Sequence, residues 1–314
     1  MKIRISLLST INCALMLFIL GAFLLIPQSL KTIANSPQPR VLSETTNLPQ
    51  IRDRQTLPAI NKPILVKPYQ TNTISAKSFL VYDLATKQTL IDQETGAKLP
   101  IASLTKLMTA LLVYEQSNFS EIVTITPSDH TTVSPVLNLI PGDKIKVEDL
   151  FNAMLIGSNN DAAAALSRYV EQTTKTSFID LMNKKAAELG MTNSHFSNAL
   201  GFDNDYNFST AADLKLLIAQ SEQYTAFQLN SRKTSYQFTS SEGRHYSTKA
   251  TNTLLANNSD IYAIKTGFTN EAGGSMITQI GNSGHDFVII VLGSGNREQD
   301  TLKLKQITEA SFKW

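Results

Sequence analysis

An α+β fold, with one antiparallel sheet of N- and C-terminal strands flanked by helices, is predicted for the folded part of this 314-residue chain. Three observations predict it. Two strand-like runs surround a turn near Thr86-Lys87 in "SAKSFLVYDLATKQTLIDQ". Three more, "YAIKTGF", "GSMITQI" and "DFVIIVLGS", return near the C-terminus. The helical patterns lie between these two groups, so the end strands share one sheet and the helices cover its faces.

The elements follow in order. After Lys2 and Arg4 a mostly apolar run extends from Ile5 to Ile26, softened by Ser6, Ser9, Thr10 and Asn12. It is about long enough to span a bilayer and exceeds the roughly 7–15-residue core of a signal peptide. The basic residues ahead of it favour a cytoplasmic N-terminus, which sends the rest of the chain outside. Residues 1–26 therefore read as a retained transmembrane signal anchor, with a cleaved signal peptide ending near Ala34 as the alternative. Cys13, the only cysteine, lies inside this run, which leaves the remainder without a disulfide, a thiol nucleophile or a cysteine metal ligand. Residues 27–72 hold seven of the eleven prolines, without helical or strand period, and read as an extended linker. Residues 73–314 make the folded domain.

Within it, "PIASLTKLMTALLVYE", residues 100–115, is apolar nearly all round, with Pro100 suited to a first helical turn. A helix around 147–155 follows Pro141-Gly142. "DAAAALSRYVEQ" and "SFIDLMNKKAAELG" are next, the second ended by Gly190. "STAADLKLLIAQSEQY" begins with Ser209 or Thr210 as N-cap. "REQDTLKLKQITEASFKW" closes the chain as a helix.

Composition excludes some functions. A formal charge of +2, with no basic cluster interleaved with aromatics, argues against nucleic acid. His130, His195, His245 and His285 are scattered and no H-E-x-x-H occurs, which argues against a metal-dependent peptidase. No metal site and no cofactor are expected.

Three motifs remain. Lys106 stands in the apolar helix three residues after Ser103, so amine and hydroxyl can meet on one face. Ser158-Asn159-Asn160 falls between two helical patterns in "LIGSNNDAAAAL". Lys265-Thr266-Gly267 ends the strand "YAIKTGF". Each alone is cheap: Ser294-Gly295-Asn296 repeats the second pattern without the others. Together, in this order, they match the S-x-x-K, S-D-N and K-T-G set of penicillin-binding proteins and class A β-lactamases. Residues 74–314 resemble the serine D-alanyl-D-alanine carboxypeptidases, the low-molecular-mass penicillin-binding proteins of peptidase family S11. "IASLTKLMTALL", "PGDKIKVEDLFNAMLIGSNNDAAAAL", "FSTAADLKLLI" and "IKTGFTNEAGG" all resemble family segments in the expected order.

The resemblance implies a β-lactamase/transpeptidase-like fold and a peptidoglycan stem peptide as substrate, with β-lactams as covalent inhibitors and a role in cell-wall shape. It assigns Ser103 as nucleophile, Ser158 as proton relay to the leaving amine and Asn160 as holder of the substrate amide. Lys265 would add positive field, Thr266 would bind the terminal carboxylate, and Gly267 would let the ligand approach. The N–H groups of Ser103 and Phe268 would hold the oxyanion. Lys106 is the nearest base; burial lowers its pKa from about 10.4, and the Lys265 ammonium is expected to lower it further. Which group takes the serine proton stays open.

Departures from the family pattern are Phe268 after the triplet and "ATNT" before Leu254, where some relatives carry arginine. Arg244 and Arg297 are the candidates for carboxylate binding. No additional C-terminal β-rich domain is expected. The activity implied is D-alanyl-D-alanine carboxypeptidase, with endopeptidase cleavage of crosslinks and a non-catalytic binder as alternatives. A β-lactamase would need a placed glutamate for deacylation, and no clear match occurs. The location implied is the outer face of the cytoplasmic membrane, reached through the N-terminal segment.

Overall fold

The computed structural model describes residues 61–224, 227, 230, 232–281 and 284–314. The expected anchor, residues 1–26, and most of the expected linker, residues 27–72, lie outside them. No helix among the described residues is long and apolar enough to cross a membrane.

Five strands form the central sheet: β1 (Ser78–Asp83), β2 (Thr89–Gln93), β3 (Ile261–Thr269), β4 (Gly273–Ile280) and β5 (Phe287–Ser294). Their order is β3-β4-β5-β1-β2, antiparallel throughout. The expected pairing of the chain's two ends is the β5–β1 seam, where Phe287 opposes Asp83 and Leu292 opposes Ser78. Both strands are nearly continuous apolar runs because both faces are buried. Leu80, Tyr82, Val288, Ile290 and Leu292 enter the core on one face; Phe79, Val81, Phe287, Ile289 and Val291 enter the core on the other. Each such fully buried side chain contributes roughly 1.5–3 kcal/mol of apolar transfer.

On the first face sit α1 (Lys106–Gln116), α2 (Val147–Ile156), α3 (Asn160–Thr174), α4 (Phe178–Glu188) and α5 (Ala211–Ser221). Helix α1 touches the other four, which is why residues 106–113 are all buried and its sequence shows no polar stripe. The second face is covered by α6 (Arg297–Ser311), which packs on β4 and β5. Thr210 caps α5, accepting from the Asp213 N–H at 3.0 Å, and Asn296 caps α6 through the Gln299 N–H.

Two boundaries differ from expectation. Leu99–Pro100 does not open a helix; it pairs with Phe208–Ser209. A 3₁₀ turn, Ala102–Thr105, follows, and the α-helix starts only at Lys106. The cause is Ala102, whose φ of +47° breaks any continuous right-handed helix through it. At the other end, Phe312–Lys313 leaves α6 and pairs with Ile64–Leu65. Two hairpin-like ribbons have no counterpart in the sequence reading: Ile122–Thr124 with Lys144–Lys146, and Ser235–Thr239 with His245–Lys249.

Candidate active site

The site lies where the Ala102–Thr105 turn meets β3, the edge strand of the sheet. In a 3₁₀ turn residues i and i+3 eclipse, so Ser103 and Lys106 face each other even though the helix begins later than expected. Lys106 Nζ stands 2.9 Å from Ser103 Oγ. It also donates to Asn160 Oδ1 at 2.7 Å and to the Leu200 carbonyl at 2.6 Å. The amine is fully buried, and burial takes its pKa from 10.5 down to about 7. Near pH 7 a large share of this lysine is thus neutral. In the neutral form the Asn160 and Leu200 oxygens take the two N–H bonds, which leaves the lone pair directed at Ser103.

Ser158 leads into α3 from a left-handed backbone, φ +59°. With Ala102 it is the second non-glycine residue of left-handed backbone within the motif segments, each costing about 1–3 kcal/mol. Its Oγ accepts from Lys265 Nζ at 2.7 Å, and that amine also donates to the Thr266 carbonyl at 2.8 Å. Burial first, then the charges of Lys106 and Arg297, push Lys265 well below the ordinary lysine value. The sequence reading had the repulsion between the two amines acting on Lys106; burial alone accounts for Lys106, and the repulsion is expressed on Lys265.

Asn160 joins the halves of the site. Its Nδ2 donates to the Val133 carbonyl at 2.7 Å while its Oδ1 receives Lys106. Asp161 next to it is buried and accepts the Leu137 and Leu139 N–H groups, fixing the loop that carries Val133. Gly267 is required by space: a Cβ there would stand 2.9 Å from Ser103 N and 3.0 Å from the Ile101 carbonyl. Strand β3 thereby lies directly against the serine's backbone.

Ser103, Ser158, Asn160, Thr266, Gly267 and Phe268 line one groove, with Lys106 and Lys265 bonded beneath it. All eight expected residues come together. Of the two arginine candidates, Arg297 lines the groove and donates to the Gly267 carbonyl at 2.6 Å. Arg244 sits on the Ser235–Lys249 ribbon and pairs with Asp143 instead. Thr251, which shares a hydrogen bond with the Thr266 hydroxyl and lines the groove, falls in the "ATNT" segment that the sequence reading marked only as a departure from the family pattern. The Leu200 carbonyl was also missed; the glycine at 201, φ +87°, whose Cβ would meet the Ala102 carbonyl at 2.0 Å, was the clue available.

A five-stranded antiparallel sheet with a helical cluster beside it, and a serine–lysine pair faced by Ser158, Asn160 and Lys265, define the β-lactamase/transpeptidase class of fold and site. The family model for Peptidase S11, D-alanyl-D-alanine carboxypeptidase, matches residues 65–296. The chain belongs to that family. It is 30% identical over 235 residues to D-alanyl-D-alanine carboxypeptidase DacC of Escherichia coli, covering 71% of this chain and 57% of that protein. It is 32% identical over 244 residues to a D-alanyl-D-alanine endopeptidase of Pseudomonas aeruginosa, covering 75% and 78% respectively. The alignments span 57% of DacC and 62% of Bacillus subtilis DacF, less than two thirds of either protein. Among solved structures, the Streptomyces K15 DD-transpeptidase is similar with a TM-score of 0.71 and 29% identity, covering 77% of this chain and all of that one. Penicillin-binding protein D2 of Listeria monocytogenes in its ampicillin-bound form is similar with a TM-score of 0.65 and 30% identity, at 77% and 100% coverage.

Proposed function

We propose that this protein is a serine D,D-peptidase that cleaves the D-alanyl-D-alanine end of peptidoglycan stem peptides, acting as a carboxypeptidase. One observation carries the reading: a fully buried lysine with a pKa of about 7, held 2.9 Å from a serine hydroxyl in a groove open to substrate. Ser103 Oγ attacks the carbonyl carbon of the penultimate D-alanine as neutral Lys106 takes its proton. The oxyanion sits between the N–H groups of Ser103 and Phe268. Asn160 holds the substrate amide. The leaving amine is protonated through Ser158, whose hydroxyl is bonded to Lys265. The terminal carboxylate lies by Thr266 and Arg297. D-alanine departs, the C–N bond having broken, and water then hydrolyses the acyl-Ser103 ester to restore the hydroxyl. The three-motif pattern supports β-lactams as covalent inhibitors of the same serine.

A second reading is D-alanyl-D-alanine endopeptidase. It is favoured by the 32% identity to endopeptidases of P. aeruginosa and E. coli, against 30% and 24% for DacC and DacF. The apolar run at residues 5–26, preceded by Lys2 and Arg4, supports a place on the outer face of the cytoplasmic membrane.

The test incubates the protein and its Ser103→Ala variant with a fluorescent penicillin, read by gel and intact mass. An adduct on the parent that the variant lacks is expected; a folded parent without one refutes the reading. Pentapeptide and crosslinked dimer, offered in parallel, separate the two cleavage modes.

A further inference from the structure

Two hydroxyls in the groove share one hydrogen bond. Thr266 is buried on β3, and among the described residues its hydroxyl meets only the hydroxyl of Thr251. Thr251 is half-buried and lines the same groove. The segment around it, Ala250 to Thr253, carries no charged side chain, so the one guanidinium among the described groove residues is that of Arg297.

Thr251 is held from both sides. Its N–H donates to the Ile156 carbonyl at 3.3 Å, at the end of α2 and two residues before Ser158. Close by, Thr248 presses on Gly157, where a Cβ would stand 1.8 Å from the Thr248 hydroxyl oxygen. Asn252 then turns the chain away, its Oδ1 accepting the Leu254 N–H at 3.0 Å. Thr251 thus reaches the segment that leads to Ser158 through its backbone. It reaches the strand that carries Lys265 and Thr266 through its side chain.

The hydrogens decide what this pair can do. Each threonine hydroxyl has a single hydrogen, and a carboxylate only accepts. When Thr266 donates to the terminal carboxylate of the peptide, its hydrogen is used there. The bond between the two hydroxyls must then run from Thr251 to Thr266. A hydroxyl that already accepts one bond has fewer directions left for its own hydrogen, and donors in such a chain polarise one another.

We propose that Thr251 is a positioning residue for carboxylate recognition: it donates to Thr266 and thereby aims the Thr266 hydrogen at the terminal carboxylate. The proposal rests on the D,D-peptidase reading above and adds a residue that sets the preference for a free carboxylate.

The experiment uses the full chain with benzylpenicillin and with benzylpenicillin methyl ester, whose carboxylate is blocked. Intact mass gives the second-order rate of acylation by each, and the acid-to-ester ratio is followed, so that any general loss of activity cancels. Thr251→Val should lower the ratio by about fivefold to tenfold, the worth of one neutral hydrogen bond. Thr251→Ser should retain most of it. Thr266→Val removes a donor to a charge and should lower the ratio further, by about tenfold to a hundredfold. On that background, adding Thr251→Val should change little, because a relay without its last member has nothing to aim. Where the ester is too slow to follow, the same cycle of single and double variants is read on the benzylpenicillin rate alone. Should Thr251→Val prove unfolded by circular dichroism, Thr251→Ala makes the same comparison. Losing the Thr251 hydroxyl without moving the ratio overturns the proposal, as do two losses that multiply in the double variant. A larger drop for Thr251→Val than for Thr266→Val also overturns it, by making Thr251 the direct donor. A folded parent acylated by neither compound overturns the D,D-peptidase reading itself.

Discussion

Acidifying the medium through pH 7 should switch off acylation of Ser103 by protonating Lys106. The magnitude follows from burial. With a pKa of about 7, half of the molecules carry a neutral amine at pH 7; at the ordinary 10.5 roughly three in ten thousand would. Burying Lys106 thus raises the population of neutral amine roughly a thousandfold, and the weaker basicity that comes with the lower pKa returns part of that gain. The second-order rate of acylation by a fluorescent penicillin, measured by intact mass from pH 5.5 to 9.5, should fall tenfold per pH unit below the break and level off above it. The break should lie within about one unit of pH 7. The penicillin carboxylate stays ionised over this range, so the slope belongs to the protein. A flat profile, or a rate still climbing tenfold per unit at pH 9.5, would show that Lys106 is an ordinary ammonium and that the serine proton goes elsewhere.

Two further outcomes follow from the same geometry. Between pH 7 and 10.5 the folded protein binds fewer protons at Lys106 than the unfolded chain, so this residue makes stability rise with pH across that window. Its full cost, about 5 kcal/mol, is present below pH 7 and gone above 10.5. Lys106→Met should therefore be inactive yet more stable at pH 7 by a kcal/mol or more. The loss of partners for Asn160 and Leu200 offsets part of the gain, which urea titrations should show shrinking towards pH 10. Gly267→Ala, which drives a Cβ to 2.9 Å from Ser103 N, should slow acylation by about a hundredfold, while circular dichroism reports an unchanged fold.

The sheet was legible because β1 and β5 are buried on both faces and so carry unbroken apolar runs, FLVY and FVIIVL. The helices were legible from periodicity and caps, Thr210 above all. What escaped was set by tertiary contact. The Ser235–Lys249 ribbon alternates weakly and is held by Tyr246 and Arg244 on Asp143, more than ninety residues earlier. The helix start at Pro100 was misread because nothing local announces a left-handed Ala102; the backbones of Gly201 and Gly267 pressed against it impose that geometry. The eight residues that meet at the groove were picked out through the ordered motif set, whose residue types suit one chemistry. Their supports, Asp161 and the Leu200 carbonyl, act through shape and backbone and leave no pattern in one sequence.

The two-residue ribbon of Ile64–Leu65 and Phe312–Lys313 has a mechanical consequence. It clasps the two ends of the folded unit side by side, at the usual spacing of about 5 Å between neighbouring strands. A pull arriving through residue 61 loads this clasp before it reaches β1. Few hydrogen bonds hold it, whereas the β5–β1 seam behind it pairs six residues on each side. The lead from Ile64 to Ser78 is held beyond the clasp as well, by the Val66 and Lys67 N–H groups on the Ser311 carbonyl, by Tyr69 on the Leu90 carbonyl and by Ser75 on Asp300, so load entering there is shared between α6 and the sheet before it reaches Ser103, Lys106 and β3.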